Sequence, residues 1–318
     1  MYKKRLAVLA ALTAALAAVY ILTLVFDPAR RADAAFAWLQ PRQHELADRI
    51  EIAGPAGDSV LIRRNNTWLV AAAGNEYPVR QQRVQELLAA LSRRDIYTLR
   101  STSLQARERL GLSAGTASRI QVRGGAGLPL VDLLIGASGA VGREIYLARA
   151  DEREIYSGED RFTRFTDTGT DFWLDFRLSG SAPRTAAMVQ QAEVNATPAN
   201  APPFAYTLRR SGTNWVLHGN ETTELAAIRV EDWLRTVLEA EASHFATAQA
   251  LPPAAITGSI TLHFGDGTHR TIQTGTLEGG STDSEPTIGA VVSTSPLVYA
   301  LSPRTVNRLF RESSEFIR

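Results

Sequence analysis

Five histidines carry most of the side-chain chemistry open to this chain: His44, His218, His244, His263 and His269. No two stand four apart, the spacing that places two imidazoles on one helix face around a metal. His263 and His269 flank Phe264-Gly265-Asp266-Gly267-Thr268, where Asp266 is the nearest acid that could join them. The same stretch reads as a hairpin with Asp-Gly at its tip and the histidines on its strands, and that reading is preferred. Ser-His-Asp catalysis needs its nucleophile on a sharp turn, commonly G-x-S-x-G. Gly136-Ala137-Ser138-Gly139 lacks that spacing, so a hydrolase would have to be assembled from distant residues.

Phosphate chemistry fares no better. A G-x-x-x-x-G-K-[ST] loop requires a lysine, and Lys3 and Lys4 are the only two. Gly124-Gly125-Ala126-Gly127 falls between two strand-like runs and reads as a turn. No D-x-D-x-D-G calcium loop occurs, and Asp283-Ser284-Glu285 offers two acids only. With no cysteine, the chain has no disulfide, thiolate nucleophile or Cys-ligated metal. No catalytic, cofactor-binding or metal-binding residue is therefore assigned. The formal charge is +1, from 34 basic and 33 acidic residues, which supplies no concentrated basic surface for nucleic acid. Trp38, Trp68, Trp173, Trp215 and Trp233 could bind glycans if exposed, although Trp68 and Trp215 hold equivalent places in a repeat and read as core.

The elements behind these residues begin with Leu6 to Phe26, 21 residues without a charge. At ~1.5 Å rise per residue such a run crosses a hydrocarbon core of ~30 Å. Lys3, Lys4 and Arg5 precede it, which predicts a cytoplasmic head at 1–5, a single span at 6–26 and an exported remainder. Arginine in place of lysine, with abundant alanine, suits a GC-rich bacterial coding bias, so the expected location is a bacterial inner membrane with periplasmic domains. A cleaved signal peptide is the competing reading. Its small-x-small triplets, Ala32-Asp33-Ala34 and Ala35-Phe36-Ala37, lie well past the apolar run. Residues 27–47 read as a juxtamembrane linker or short helix.

From Asp48 the pattern is strand-like. Arg49 to Ile52, Val60 to Arg64 and Thr67 to Val70 form a meander, with Asn65-Asn66 as a turn. Val84, Leu87, Leu88 and Leu91 then mark one helix face. Further strands are expected near Ile120, Leu130–Ile135, Glu144–Leu147 and Ile155-Tyr156, and a short helix carrying Phe162 and Phe165.

The second half repeats this order. Asn214 to Leu217 mirrors Thr67 to Val70; Val230, Trp233, Leu234 and Val237 mirror the apolar helix face; Ile260 to Leu262 mirrors Ile120 to Val122. Val298-Tyr299 mirrors Ile155-Tyr156, and Glu315 to Ile317 mirrors Asp171 to Trp173. A recurring order of this kind outranks single motifs in deciding the fold. The expectation is α+β: a transmembrane helix, then two tandem units of mostly antiparallel sheet with packed helices, at 48–180 and 181–318, with a seam near Ser179 to Pro183.

A short head, one span and a repeated unit built on Trp68 and the Val84–Leu91 helix resembles the domain of unknown function family 4340. Leu110-Gly111-Leu112, Leu134-Ile135-Gly136, and Glu144-Ile145-Tyr146 followed by Ile155-Tyr156 extend the likeness, best over Asp48 to Leu178. The resemblance brings no catalytic residues and no cofactor. It implies a non-enzymatic envelope accessory protein beside an ABC-type permease or a gliding-motility-like auxiliary subunit. An envelope glycan- or peptide-binding module is the alternative.

Overall fold

The computed structural model describes Leu16 and residues 33–317, apart from 73, 140–141, 181–183, 199–200, 219, 247–249 and 278–287. The expected span at 6–26 therefore lies outside the described residues except for Leu16. Among the described residues no helix is long and apolar enough to cross a membrane. The chain divides into two compact units, Met1–Leu174 and Asp175–Arg318.

The first unit is built on one antiparallel sheet. Its strands are β1 (Asp33–Phe36), β2 (Ala47–Ala53), β3 (Ser59–Arg64), β4 (Thr67–Ala72), β5 (Asn75–Pro78), β6 (Asp95–Ser101), β7 (Ser118–Gly124), β8 (Pro129–Ser138), β9 (Glu144–Arg149) and β10 (Ile155–Glu159). They lie in the order β1-β6-β10-β9-β8-β7-β2-β3-β4-β5. Among the described residues from 33 onward three α-helices accompany them: α1 (Gln81–Ser92), α2 (Leu104–Arg109) and α3 (Thr163–Thr166). The β3–β4 hairpin turns at Asn65 (φ 48°) and Asn66 (φ 65°), the left-handed pair that a two-residue hairpin needs and asparagine tolerates.

The second unit has strands β11 (Val189–Ala196), β12 (Phe204–Ser211), β13 (Asn214–Leu217), β14 (Asn220–Glu224), β15 (His244–Phe245), β16 (Ile256–Phe264), β17 (His269–Thr276), β18 (Ile288–Val292) and β19 (Ser295–Leu301), with helices α4 (Ala227–Leu238) and α5 (Pro303–Leu309). Their order is β14-β13-β12-β11-β16-β17-β18-β19-β15. Strand for strand this reproduces the first sheet from β5 to β6; only β1 has no named counterpart.

The cores follow from the two periods in the sequence. On α1, Val84, Leu87, Leu88 and Leu91 are buried, and on α4 so are Val230, Trp233, Leu234 and Val237. Each such side chain contributes about 1.5–3 kcal/mol of burial, which makes these faces the main attachment of the helices. Alternating residues of the central strands complete the cores: Ile50 and Ile52, Ile120 and Val122 in one unit, Val194, Ile260 and Leu262 in the other. Both long helices are pinned at their starts by the closing segment of their own unit. Arg80 N–H donates to Trp173 O at 2.9 Å, and Ala226 N–H donates to Phe316 O at 2.7 Å. Bridges Val79–Leu174 and Leu225–Ile317 flank these bonds. Trp173 therefore corresponds to Phe316, so the expected match of Trp173 with Ile317 is one residue out of step.

Two expected boundaries also move. The segment read as a linker up to residue 47 carries β1, paired with β6 from Asp33–Thr98 to Phe36–Asp95. Trp38 and Leu39 behind it are fully buried. Trp38 packs edge-on against Phe36 and Tyr97, at centroid distances of 5.0 and 5.2 Å. At the seam, Leu178 N–H donates to Ala240 O and Ala242 N–H to Phe176 O, both at 2.9 Å. Phe176–Leu178 thus belongs to the second unit, which starts at Asp175 and not at 181. Each unit begins with a lead-in segment laid along the residues that follow its long helix.

Candidate functional site

The histidine pair sits where the hairpin reading puts it. His263 and His269 face each other across β16 and β17, with ring centroids 6.0 Å apart. His263 Nε2 lies 3.0 Å from Glu193 Oε1, so the acid beside it is Glu193 and not Asp266. The Asp266 carboxylate accepts from Thr268 N–H, Thr268 Oγ1 and Arg184. Those bonds, led by the Thr268 hydroxyl, hold it well below the usual carboxylate range. Among the described residues no three His, Asp or Glu side chains are grouped to hold a metal. His44 lies in the 3-10 turn Pro41–Leu46, His218 just after β13, and His244 in β15.

The aromatic candidates are all interior. All five tryptophans are buried, so none offers a stacking platform to a glycan. Trp233 Nε1 donates to Leu309 O at 2.8 Å. Tyr206, whose hydroxyl is pushed up by burial, donates to Arg311 O at 2.7 Å. Gly125–Gly127 is a tight turn joining β7 to β8, with Ala126 and Gly127 left-handed.

Three short motifs instead converge. Leu110 and Leu112, Leu134, Tyr146 and Ile155 pack with Ala106 and Ala148 into one small apolar cluster on the first unit. Leu110-Gly111-Leu112 is the C-terminal stop of α2. Gly111 has φ +72°, its N–H donates to Glu108 O at 3.1 Å, and Leu112 N–H reaches back to Arg107 O at 2.9 Å. This is a Schellman closure, and its characteristic apolar contact is Leu112 with Ala106. At the other end Ser103 Oγ caps the helix by accepting from Ala106 N–H at 3.2 Å. Leu134-Ile135-Gly136 receives that stop: Ala137 N–H donates to Leu110 O at 2.9 Å. A Cβ on Gly136 would stand 2.3 Å from the same oxygen, so only glycine admits the contact. Arg107 ties the joint to β9. Its guanidinium donates to Leu112 O (3.3 Å), Glu152 O (2.6 Å) and Arg149 O (2.8 Å).

The joint makes one wall of an open cleft of about 880 Å³. Leu104, Leu112 and Leu134 give it apolar side chains, and Gly54, Pro55 and Asp58 of the β2–β3 turn also line it. The small residues of Ser113 to Ser118 line it as well. Leu104 is 67% exposed, an uncovered leucine on the rim. Where the first unit has α2, the described residues between β15 and β16 of the second unit form only the 3-10 turn Pro253–Ala255. That unit has a smaller hollow of about 450 Å³ lined by mixed charges, among them Asp232, Arg235, Glu239 and Arg308.

The motifs that carry the family resemblance thus meet in one joint of the scaffold. The chain belongs to the domain of unknown function (DUF4340) family, whose model matches residues 68–257. That match opens at Trp68 in β4, takes in the whole α2 joint and runs past the seam into β16. It therefore starts later than the resemblance by motif, and like it extends into the second unit. No curated protein matches the chain.

The cleft was not among the sites expected from sequence. Its helix could have been found from Ser103 and Gly111, a cap and a stop eight residues apart.

Proposed function

We propose that this chain is a non-enzymatic accessory protein, anchored in a membrane by Leu6–Phe26. Its two units are exported and stand beside an ABC-type permease or a related auxiliary subunit. The 21-residue apolar run and the basic head at Lys3, Lys4 and Arg5 support the anchor and its orientation. The observation that carries the reading is where folding begins. β1 starts at Asp33, so only residues 27–32 separate the apolar run from a sheet. Whatever their conformation, six residues reach no further than ~20 Å. A domain on so short a tether stays at the membrane surface, where its effective concentration toward a membrane partner is high.

Gentle detergent extraction and co-purification test this reading. A permease and its ATPase should copurify reproducibly, and a reporter fused after Arg318 should be active outside the cytoplasm. Retention on cell-wall polymer without those partners would favour an envelope binding module, and cytoplasmic reporter activity would refute the orientation.

A further inference from the structure

We infer that the first unit rests one end of its sheet on the lipid surface, with Leu46 and Leu128 as the side chains that enter the headgroup region. This inference deepens the accessory reading and rests on it for the anchor. The topology defines the end. Every neighbouring pair of strands from β1 and β6 through β10, β9, β8 and β7 to β2 is antiparallel. The start of β1 therefore shares an end with the close of β6, the β9–β10 link, the β7–β8 turn and the start of β2. Asp33 opens β1, and residues 27–32 hold it within ~20 Å of the apolar run. The chain thus enters the unit from the anchor at this end.

The exposed apolar side chains of the unit gather at that same end. Among its described residues from 33 onward four large hydrophobic side chains are exposed: Leu46, Ile96, Leu104 and Leu128. Three stand at the entry end: Leu46 just before β2, Leu128 in the β7–β8 turn, and Leu104 three residues after β6. Leu46 and Leu128, 53% and 54% exposed, belong to one tip built around Gly124. Gly124 N–H donates to Leu128 O at 2.8 Å, and Gly124 pairs with Ala47, the neighbour of Leu46. A Cβ on Gly124 would stand 2.9 Å from Leu46 O, so glycine lets the two turns meet. The opposite end, with Gly54 to Asp58 of the β2–β3 turn, shows no exposed large hydrophobic side chain among its described residues, and Ile96 lies within β6. Moving two leucines out of water is favourable, and on tight turns they lose little freedom in doing so. Arg42, Glu45 and Asp48 beside Leu46 are exposed and of mixed sign, so the contact is apolar and needs no anionic lipid.

The chain has no cysteine, so one can be placed at will and labelled with an environment-sensitive fluorophore. The full chain is reconstituted in phosphatidylcholine vesicles, with and without a fraction of lipid spin-labelled near the headgroup. A label at Ala126→Cys, exposed in the β7–β8 turn, should be blue-shifted and quenched severalfold more than one at Ala56→Cys, exposed in the β2–β3 turn. Leu46→Ser with Leu128→Ser should cut the quenching at 126 severalfold; both positions are exposed, so the fold should tolerate the changes. A label at Thr13→Cys, inside the proposed anchor, reports the anchor by itself. Quenching at 13 with no more quenching at 126 than at 56 would overturn the inference and leave the anchor standing. So would quenching at 126 that ignores the two serine changes. An unquenched label at 13 would remove the anchor and the inference with it.

Discussion

Gly136→Ala should open the α2 joint without touching an exposed surface. Gly136 is not at positive φ, so alanine suits its backbone and the whole cost is contact. The added Cβ would stand 2.3 Å from Leu110 O and 2.9 Å from Leu112 Cγ, both inside the 3.0 Å that real Cβ atoms essentially never breach. A carbonyl cannot swing away as a side chain can, so α2's stop and the end of β8 must separate by more than half an ångström. Overpacking of this kind costs about 1–3 kcal/mol. The Ala137 N–H to Leu110 O bond is stretched with it, at about 1 kcal/mol more. A loss of ~2–4 kcal/mol follows. Hydrogen exchange of the amides of residues 106–112 should then be faster by roughly thirtyfold to a thousandfold if the segment opens locally. Gly127→Ala is the contrast: φ is +77° and no atom lies within 4 Å of the new Cβ, so only the left-handed backbone is strained, by about 1–2 kcal/mol. Exchange in residues 106–112 within threefold of the parent would refute the assignment of Gly136 as the seat of the joint.

Other substitutions probe the second unit and the acid limb. Arg270 is buried, its Nε and Nη1 lack partners, and burial holds its guanidinium below its ordinary pKa; its counterpart in the first unit is Val131. Arg270→Met should therefore raise urea stability by about 1–3 kcal/mol, and a clear loss would show that the charge is compensated. Trp233→Phe should cost about 1–3 kcal/mol by leaving Leu309 O unpaired in the core, measured by thermal unfolding. Glu144 is held below its ordinary pKa by hydrogen bonds from Ser157 and then Arg100. Its contribution is complete above the unfolded carboxylate pKa of about 4.3 and disappears as pH falls through the lower folded value. Glu144→Gln should remove under ~1 kcal/mol at pH 7 and nothing at the acid end, seen in paired urea titrations.

Periodicity made much of this fold legible. The α1 and α4 faces announce themselves at i, i+3, i+4 and i+7, the Asn65-Asn66 and Asp266-Gly267 turns at their dipeptides, and the duplication in the recurrence of Trp68 and Trp215. What escaped was structure held by pairing alone. β1 is four residues, Asp-Ala-Ala-Phe, without alternation or β-branching, and exists because β6 offers it an edge. The Trp173–Phe316 correspondence slipped by one because Asp171-Phe172 and Glu315-Phe316 match as acid-Phe pairs until the Arg80 and Ala226 bonds fix the register. The cleft was hidden for another reason. Its motifs are visible one by one, but their meeting depends on β7, β8 and β9 being neighbours, which no local spacing encodes.

The lead-in strand also sets an order of events for the young chain. The two triplets that a peptidase could recognise, Ala32-Asp33-Ala34 and Ala35-Phe36-Ala37, run into and along β1. Once β1 is zipped to β6 and Trp38 is seated, that stretch is a paired strand and no longer an extended substrate. Cutting must therefore come before folding or not at all. A chain cut after Ala37 would also fold with β6 as a bare edge, open to pairing with another molecule. A cut at the second triplet and a finished sheet are thus alternatives for the same residues, and what closes this edge is β1 itself.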